Sequence, residues 1–278
     1  MKKALYGLKQ APRTWYARID GYFQDNGFNR SKSEPTLYYK QEGNDILIVS
    51  LYVDDLLYMG SSSKMKDEFK IAMMNEFEMK DLGLMQYFLG MEVYQNEDEI
   101  FICQTKYGKD MLKKFDMVDS KPASTPTAHG IVLCRDDGAE IVDEVTYKSI
   151  VGSLMFLTHT RPDIAYSVSL VSRYMTEPSE IHMKAAKRIL RYVRGTLNFG
   201  IHYYTSKRFN LVGFSDSDWG GSLDDRKSTS GNCFSFDSGL ITWSSKKQSI
   251  VALSSTKAEY VAVTSAGTQA LWLRKVLE

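Results

Sequence analysis

The chain is poor in the residues that build stapled or metal-built scaffolds. Three cysteines occur in 278 residues, Cys103, Cys134 and Cys233, far apart and without a CxxC pair or a Cys/His cluster. Such spacing supports neither a disulfide framework nor a zinc site, and a reducing compartment is the expectation. The four histidines, His129, His159, His182 and His202, show no ligand spacing and no partner nucleophile, so they read as structural. Long apolar runs are missing as well. The longest, residues 46–53, is interrupted by Ser50 and falls far short of the roughly 20 residues that a membrane-spanning helix needs. The N-terminal apolar stretch stops at Lys9, Pro12 and Arg13, which excludes the unbroken core of a secretory signal. An intracellular, cytoplasmic location without a membrane partner follows as the expectation. Net charge is nearly absent too, +1 from 35 basic and 34 acidic side chains, and taken alone that argues against a polyanionic partner.

What is present is an ordinary globular balance, 43% hydrophobic and 25% charged, which excludes intrinsic disorder. The length suggests two domains. The neutral total also hides segregation. Residues 1–24 carry five Lys/Arg against one acid, residues 42–100 carry thirteen acids against four lysines, and residues 177–210 carry seven Lys/Arg against two acids. Two basic zones flank an acidic one.

Hydrophobic spacing predicts a helix over 12–25, a strand meander over 37–40, 46–53 and 56–59, and a helix over 64–79 with Met65, Phe69 and Phe77 on its buried side. A hairpin over 84–93 and 99–104 and a short helix over 107–115 follow. The stretch Lys121-Pro-Ala-Ser-Thr-Pro-Thr reads as a linker, because two prolines and small polar residues stop regular structure. Beyond it, three helices are expected over 145–158, 162–174 and 178–193, the last amphipathic with Lys184, Lys187, Arg188, Arg191 and Arg194 on one side. Strands over 200–204, 211–215, 232–236 and 240–244 and a terminal helix from about residue 257 complete a second, α/β segment. Trp219 and Trp243 are expected in its core.

The sharpest chemical feature is Tyr52-Val53-Asp54-Asp55, two adjacent acids between apolar strands. Side-by-side carboxylates repel, and desolvating them is costly unless a cation compensates. A divalent metal would serve; the plainer alternative is that Asp-Asp fills a tight turn. The surrounding sequence resembles one family. Lys3-Ala-Leu-Tyr-Gly-Leu-Lys-Gln-Ala-Pro-Arg-Thr-Trp-Tyr16 is similar to the segment that precedes a Tyr-x-Asp-Asp hairpin in the Pol polyprotein of copia-type LTR retrotransposons. Tyr87-Phe-Leu-Gly-Met-Glu-Val93, Thr160-Arg-Pro-Asp-Ile-Ala165, Asp225-Arg-Lys-Ser-Thr-Ser-Gly231 and Ser254-Ser-Thr-Lys-Ala-Glu-Tyr260 continue the resemblance in family order.

The resemblance implies an α+β or α/β fold: a partial polymerase palm of antiparallel strands with helices, thumb-like helices, and a truncated ribonuclease H-like α/β domain. Its segments would be residues 1–119 (palm and thumb), 120–130 (linker), 131–199 (helical connection) and 200–278 (ribonuclease H-like). It implies an RNA-directed DNA polymerase with ribonuclease H, using Mg²⁺ (or Mn²⁺) in two-metal chemistry. Asp54 and Asp55 would be metal-holding catalytic acids of the palm, and Asp216 and Glu259 those of the ribonuclease H site. Gln10, Lys9 and Arg13 would lie near template base, nucleotide and phosphates, Tyr52 beside the metal acids, and Gly90 in the hairpin that grips the primer end. The basic side chains 184, 187, 188, 191 and 194 suit a nucleic-acid backbone, or simply a solvated helix face. Glu259 has a structural alternative, since Thr256-x-x-Glu259 is also a capping box. Lys257 stands where the family usually has Glu, and Asp218, Asp224 and Asp225 read as loop acids, Asp218 being the alternative ligand.

Partners implied for the parent are an RNA template, a DNA primer, RNA–DNA hybrid, deoxynucleotides and the other Pol segments: integrase, fingers and the end of ribonuclease H. The parent would work in a cytoplasmic virus-like particle. Both metal sites are expected to be incomplete here, one acid lying before Met1 and others beyond Glu278, so the isolated chain is expected to be inactive and poorly soluble. The competing reading is an inert retroelement remnant that binds nucleic acid or a host protein.

Overall fold

A computed structural model describes residues 10–205 and 210–278. Every strand pairing among them is antiparallel, which makes the fold α+β; the parallel sheet of an α/β fold is not found in the described residues. The chain divides into two compact units, Met1–Gly83 with Leu271–Glu278, and Leu84–Ala270.

In the first unit, helix α1 (Ala11–Asp25) precedes a sheet of β1 (Asn29–Arg30), β2 (Leu37–Glu42), β3 (Asp45–Tyr52) and β4 (Asp55–Gly60) in that spatial order, followed by α2 (Ser63–Glu76). Pro12 opens α1, where its missing N–H costs no hydrogen bond. The Ser62 side chain caps α2 by accepting from the Met65 N–H. Alternation decides which face of β3 is buried: Leu47, Val49 and Leu51 are buried with Ile19 and Phe23 of α1 and Met65, Phe69 and Met73 of α2. The other face of the sheet leaves Tyr39, Ile46 and Met59 exposed.

In the second unit, β5 (Tyr87–Phe88), β6 (Met91–Gln95), β7 (Glu99–Cys103) and β8 (Gly200–Tyr204) form one sheet, and β9 (Leu211–Ser217), β10 (Thr229–Phe236) and β11 (Gly239–Lys247) another, ordered β11-β10-β9. Helices α3 (Thr105–Lys114), α4 (Glu144–Leu157), α5 (Pro162–Val171) and α6 (Glu180–Gly195) share one core built on Tyr147, Ile150, Leu154, Ile164, Ile189 and Leu190. Helix α7 (Ser255–Leu277), which belongs to this unit as far as Ala270, buries only an alanine row, Ala258, Ala262 and Ala266.

Three expectations change. Strand Gly200–Tyr204, read with the strands that follow it, pairs instead with Glu99–Cys103. The proline-containing stretch after Lys121 is not a free connector: it lies inside the second unit, fastened to α6 by Ala123 N–H to Arg191 O at 3.2 Å. Trp219 is 59% exposed rather than in the core, its indole N–H donating to Ala252 O at 3.0 Å. Among the described residues no helix is long and apolar enough to cross a membrane.

Candidate nucleotidyl-transfer site

The acidic dipeptide sits at the tip of the β3–β4 hairpin, where Tyr52 and Asp55 are the last cross-strand pair and Val53 and Asp54 form the two-residue turn. Val53 takes φ +55°. A β-branched residue in the left-handed region is strained by about 1–3 kcal/mol, a reservoir that neighbouring contacts must hold in place. Trp15 of α1 does so: its indole N–H donates to the Val53 carbonyl at 2.6 Å, while its ring meets the Phe77 edge at a centroid distance of 5.3 Å. Leu51 is buried just before the turn, so the hairpin is anchored at its base and pinned at its tip. Asp54 and Asp55 are exposed, and among the described residues no ion pair or side-chain hydrogen bond engages either carboxylate.

Two vicinal carboxylates are the hard oxygen donors that Mg²⁺ accepts, and that ion is commonly held by one or two carboxylates with water and substrate phosphates filling the rest. The donor set therefore fits a divalent cation bound together with substrate. No group of three or more His, Cys, Asp or Glu able to hold a metal alone exists among the described residues.

Gln10 is exposed and its carbonyl accepts the Thr14 N–H at 3.1 Å, opening α1. Arg13 is exposed on the same helix, and Arg18 is paired to Glu76 at 3.2 Å. Lys9 lies outside the described residues. Gly90 belongs to the second unit. With Leu89 at φ +50° and Gly90 at φ +82°, it makes the tight β5–β6 turn, and a Cβ there would come within 2.7 Å of the Phe156 ring. Turn geometry and packing both demand glycine.

The basic side chains of α6 divide into two groups. Arg188 donates to Thr125 Oγ1 at 3.0 Å, Arg191 to Lys121 O at 2.7 Å and Arg194 to Val118 O at 2.7 Å. These three strap the segment 118–125 onto the helix, a role their charge pattern did not reveal. Lys184 pairs with Glu180 one turn earlier at 2.7 Å, and Lys187 is exposed.

Asp216 is exposed on β9, opposite Gly231, and Glu259 is half-buried on α7. The capping alternative for Glu259 is not realised. Ser254, not Thr256, caps α7, its hydroxyl accepting the Lys257 N–H at 3.2 Å, so the capping-box position falls on Lys257. The other acids are committed to their loop. Asp218 accepts the Thr229 N–H at 2.7 Å, and Asp224 the Arg135 N–H at 2.8 Å. Burial opposes ionisation of Asp225, yet Lys247 at 2.8 Å and the Ser222 hydroxyl hold its pKa at about 2.

Two structural residues carried no assigned role in the sequence. One is Trp15. The other is Arg161, 2% exposed, which grips Asp163 in a bidentate pair at 2.8 and 2.7 Å and also donates to Thr196 O at 2.9 Å. Burial raises the Asp163 pKa, but this guanidinium outweighs it and holds the carboxyl below its ordinary value. The signal was present in Thr160-Arg-Pro-Asp, where a proline starts α5 and fixes an acid two residues from the arginine.

A family model described as reverse transcriptase (RNA-dependent DNA polymerase) matches residues 1–129. The retrovirus-related Pol polyprotein from transposon TNT 1-94 of Nicotiana tabacum is 40% identical over 100% of this chain and 22% of its own length. An uncharacterized mitochondrial protein of Arabidopsis thaliana is 39% identical over 80% of this chain and 92% of its own length. A putative transposon Ty5-1 protein of Saccharomyces cerevisiae is 34% identical over 92% of this chain and 84% of its own. The chain spans about a fifth of the full Pol polyproteins it matches, 22% and 19% of two plant examples. No solved structure matches it. A reverse transcriptase model over the first 129 residues and polyprotein relatives aligned from end to end lead to one placement: the chain belongs to the transposon Pol polyprotein family, as a reverse transcriptase segment of it.

Proposed function

We propose that the Asp54/Asp55 hairpin is the metal-holding turn of an RNA-directed DNA polymerase palm, and that the chain works as part of a larger Pol assembly rather than alone. The observation that carries this is a pair of exposed carboxylates, free of internal partners among the described residues, on a strained turn that Trp15 pins. Pinning fixes the backbone from which the two carboxylates project before substrate arrives, a first part of the preorganisation that nucleotidyl transfer rewards. When bound there, Mg²⁺ or Mn²⁺ would supply the positive charge that activates a primer 3′-hydroxyl and offsets charge on the leaving pyrophosphate. Asp54 and Asp55 would hold it, Gln10, Lys9 and Arg13 would meet nucleotide and template phosphates, and Tyr52 would contact the nucleic acid; in the second unit, Gly90 belongs to the turn that would grip the primer end.

In this reading residues 1–119 are palm and thumb, 120–130 run strapped along α6 into a connection over 131–199, and 200–278 are a ribonuclease H-like segment with Asp216 and Glu259 as its metal acids. The substrates are RNA template, DNA primer, deoxynucleotides and RNA–DNA hybrid, and the setting is an intracellular particle. The α6 lysines, Lys184 and Lys187, and the terminal guanidinium nitrogens that Arg188, Arg191 and Arg194 do not use on the strap would face nucleic acid, while Arg188 Nε is buried. Two carboxylates without a third make a weak metal site, so the purified chain is expected to lack polymerase and ribonuclease H activity.

Paramagnetic line broadening by Mn²⁺ tests both halves of the proposal when joined to a primer-extension assay. Broadening should centre on the Tyr52 to Asp55 amides and be lost in Asp54→Asn, with no extension of a DNA primer on an RNA template. Broadening that spares this hairpin removes the metal assignment. Extension that Asp54→Asn abolishes overturns the expected inactivity.

A further inference from the structure

The β5–β8 sheet has one face that takes no part in the site above. Val93, Ile102 and Ile201 form a cross-strand row on one side, with Val93 and Ile201 buried. The next row, on the opposite side, is Tyr94, Phe101 and His202, and Tyr204 shares that face two residues further along β8. Ring centroids step 6.3 Å from Tyr94 to Phe101, 4.7 Å on to His202 and 5.1 Å on to Tyr204. The result is a continuous band of four rings across three strands. Its two ends, Tyr94 and Tyr204, remain 58% and 56% exposed.

The charged side chains that β6, β7 and β8 place on this face, Glu92 and Glu99, are both acids. Lys106 follows β7 with its backbone N–H donating to Glu92 Oε1 at 2.6 Å, and Lys207 and Arg208 follow β8 in sequence. Residues 84–105 hold four acids, Glu92, Glu97, Asp98 and Glu99, and no Lys or Arg, and β8 adds no charge. Glu92 and Glu99 lie on the aromatic face. The Tyr94 hydroxyl donates to Glu92 Oε2 at 3.1 Å, and Glu99 Oε2 stands 3.5 Å from His202 Nδ1. Among the described residues the protein's own cations sit over other rings, those of Phe77, Phe28, Phe115, Tyr192 and Phe199. Ring faces carry negative potential and attract cations, guanidinium most readily because it is planar and weakly hydrated. A platform for single-stranded nucleic acid joins stacked aromatics to a basic groove; here the two carboxylates on the face, Glu92 and Glu99, would repel phosphate.

We propose that the face formed by Tyr94, Phe101, His202 and Tyr204 docks an arginine-bearing basic segment of a partner protein. Guanidinium groups stack on the rings, and Glu92 and Glu99 supply the counter-charge. The site is independent of the metal-holding hairpin.

Titrating the full 278-residue chain with labelled hexa-arginine, hexa-lysine and an oligothymidylate, followed by anisotropy and by ring proton shifts, tests this. Hexa-arginine should bind more tightly than hexa-lysine and shift the Tyr94 and Tyr204 rings. Tyr94→Ala and Tyr204→Ala should each weaken it by about two- to fivefold, the loss of one exposed cation–π contact. Both side chains are exposed, so far-UV circular dichroism should stay unchanged. Glu99→Gln, which removes charge and no ring, should weaken binding in the same direction. Hexa-arginine affinity unmoved by all three variants overturns the proposal. So does oligothymidylate binding that Tyr94→Ala abolishes, which would make the face a nucleic-acid platform.

Discussion

His182 holds the start of α6 as a neutral base. Its Nδ1 accepts the Ser179 N–H at 3.0 Å, so the proton sits on Nε2, which donates to Cys134 O at 3.1 Å. A second proton on Nδ1 would face the Ser179 N–H head on. Burial pushes the imidazole below its ordinary pKa, although Asp137 at 3.8 Å, the Cys134 carbonyl and Asp224 pull the other way. A base whose folded pKa is lowered binds more protons when unfolded. Its contribution is therefore complete above the unfolded value of 6.5 and is lost as pH falls below that towards the folded value. Asp137, held low by the Ser179 hydroxyl, loses its contribution only at more acidic pH. The urea midpoint should accordingly drop between pH 7 and pH 5. In His182→Gln, which keeps an acceptor at this capping position, that part of the slope should flatten; an unchanged slope would assign the titration elsewhere.

At the scale of elements, α7 begins with half of a capping box. Ser254 supplies the N-cap acceptor, but Lys257 occupies the position where Glu or Gln would reach back to the N-cap N–H, and its charge opposes the helix dipole. Lys257→Glu should stabilise the chain by about 0.3–1 kcal/mol, read as a rise in the urea midpoint. No rise would mean that α7 is not limited by its first turn. This helix also marks what the sequence could tell. Periods of two and 3.6 located the meander, the hairpin tip and all of the long helices, because those signals are local. Ser254 and Thr256 both offer a hydroxyl acceptor for an N-cap, and only the backbone path chooses between them. The strap held by Arg188, Arg191 and Arg194 was hidden for another reason: a basic helix face looks the same whether it meets phosphates or carbonyls. Asp54 and Asp55 are legible as a candidate pair from their adjacency, whereas Trp15, which pins their turn, depends on a contact 38 residues away in sequence.

For the whole molecule, near-neutral charge meets exposed apolar edges. The pI is about 7.6, β4 is an edge of one of the three sheets and β9 of another among the described residues, and Met59 on β4 and Phe214 on β9 are exposed. Low net charge removes the repulsion that keeps such edges apart. Light scattering should be greatest near pH 7.6 and fall as pH rises to 9, and Met59→Lys should lower it at pH 7.6. Scattering indifferent to both would show that the edges are not the contact. The pairing of Glu99–Cys103 with Gly200–Tyr204 adds a constraint of another kind. On a ribosome that adds 5–20 residues per second, about 5–20 s separate the synthesis of these two strands. Throughout that interval Ile100, Phe101 and Ile102 leave the exit tunnel as an unpaired, aggregation-prone edge. Slower translation across residues 104–199 lengthens that exposure, and a chaperone bound over that window would shield it.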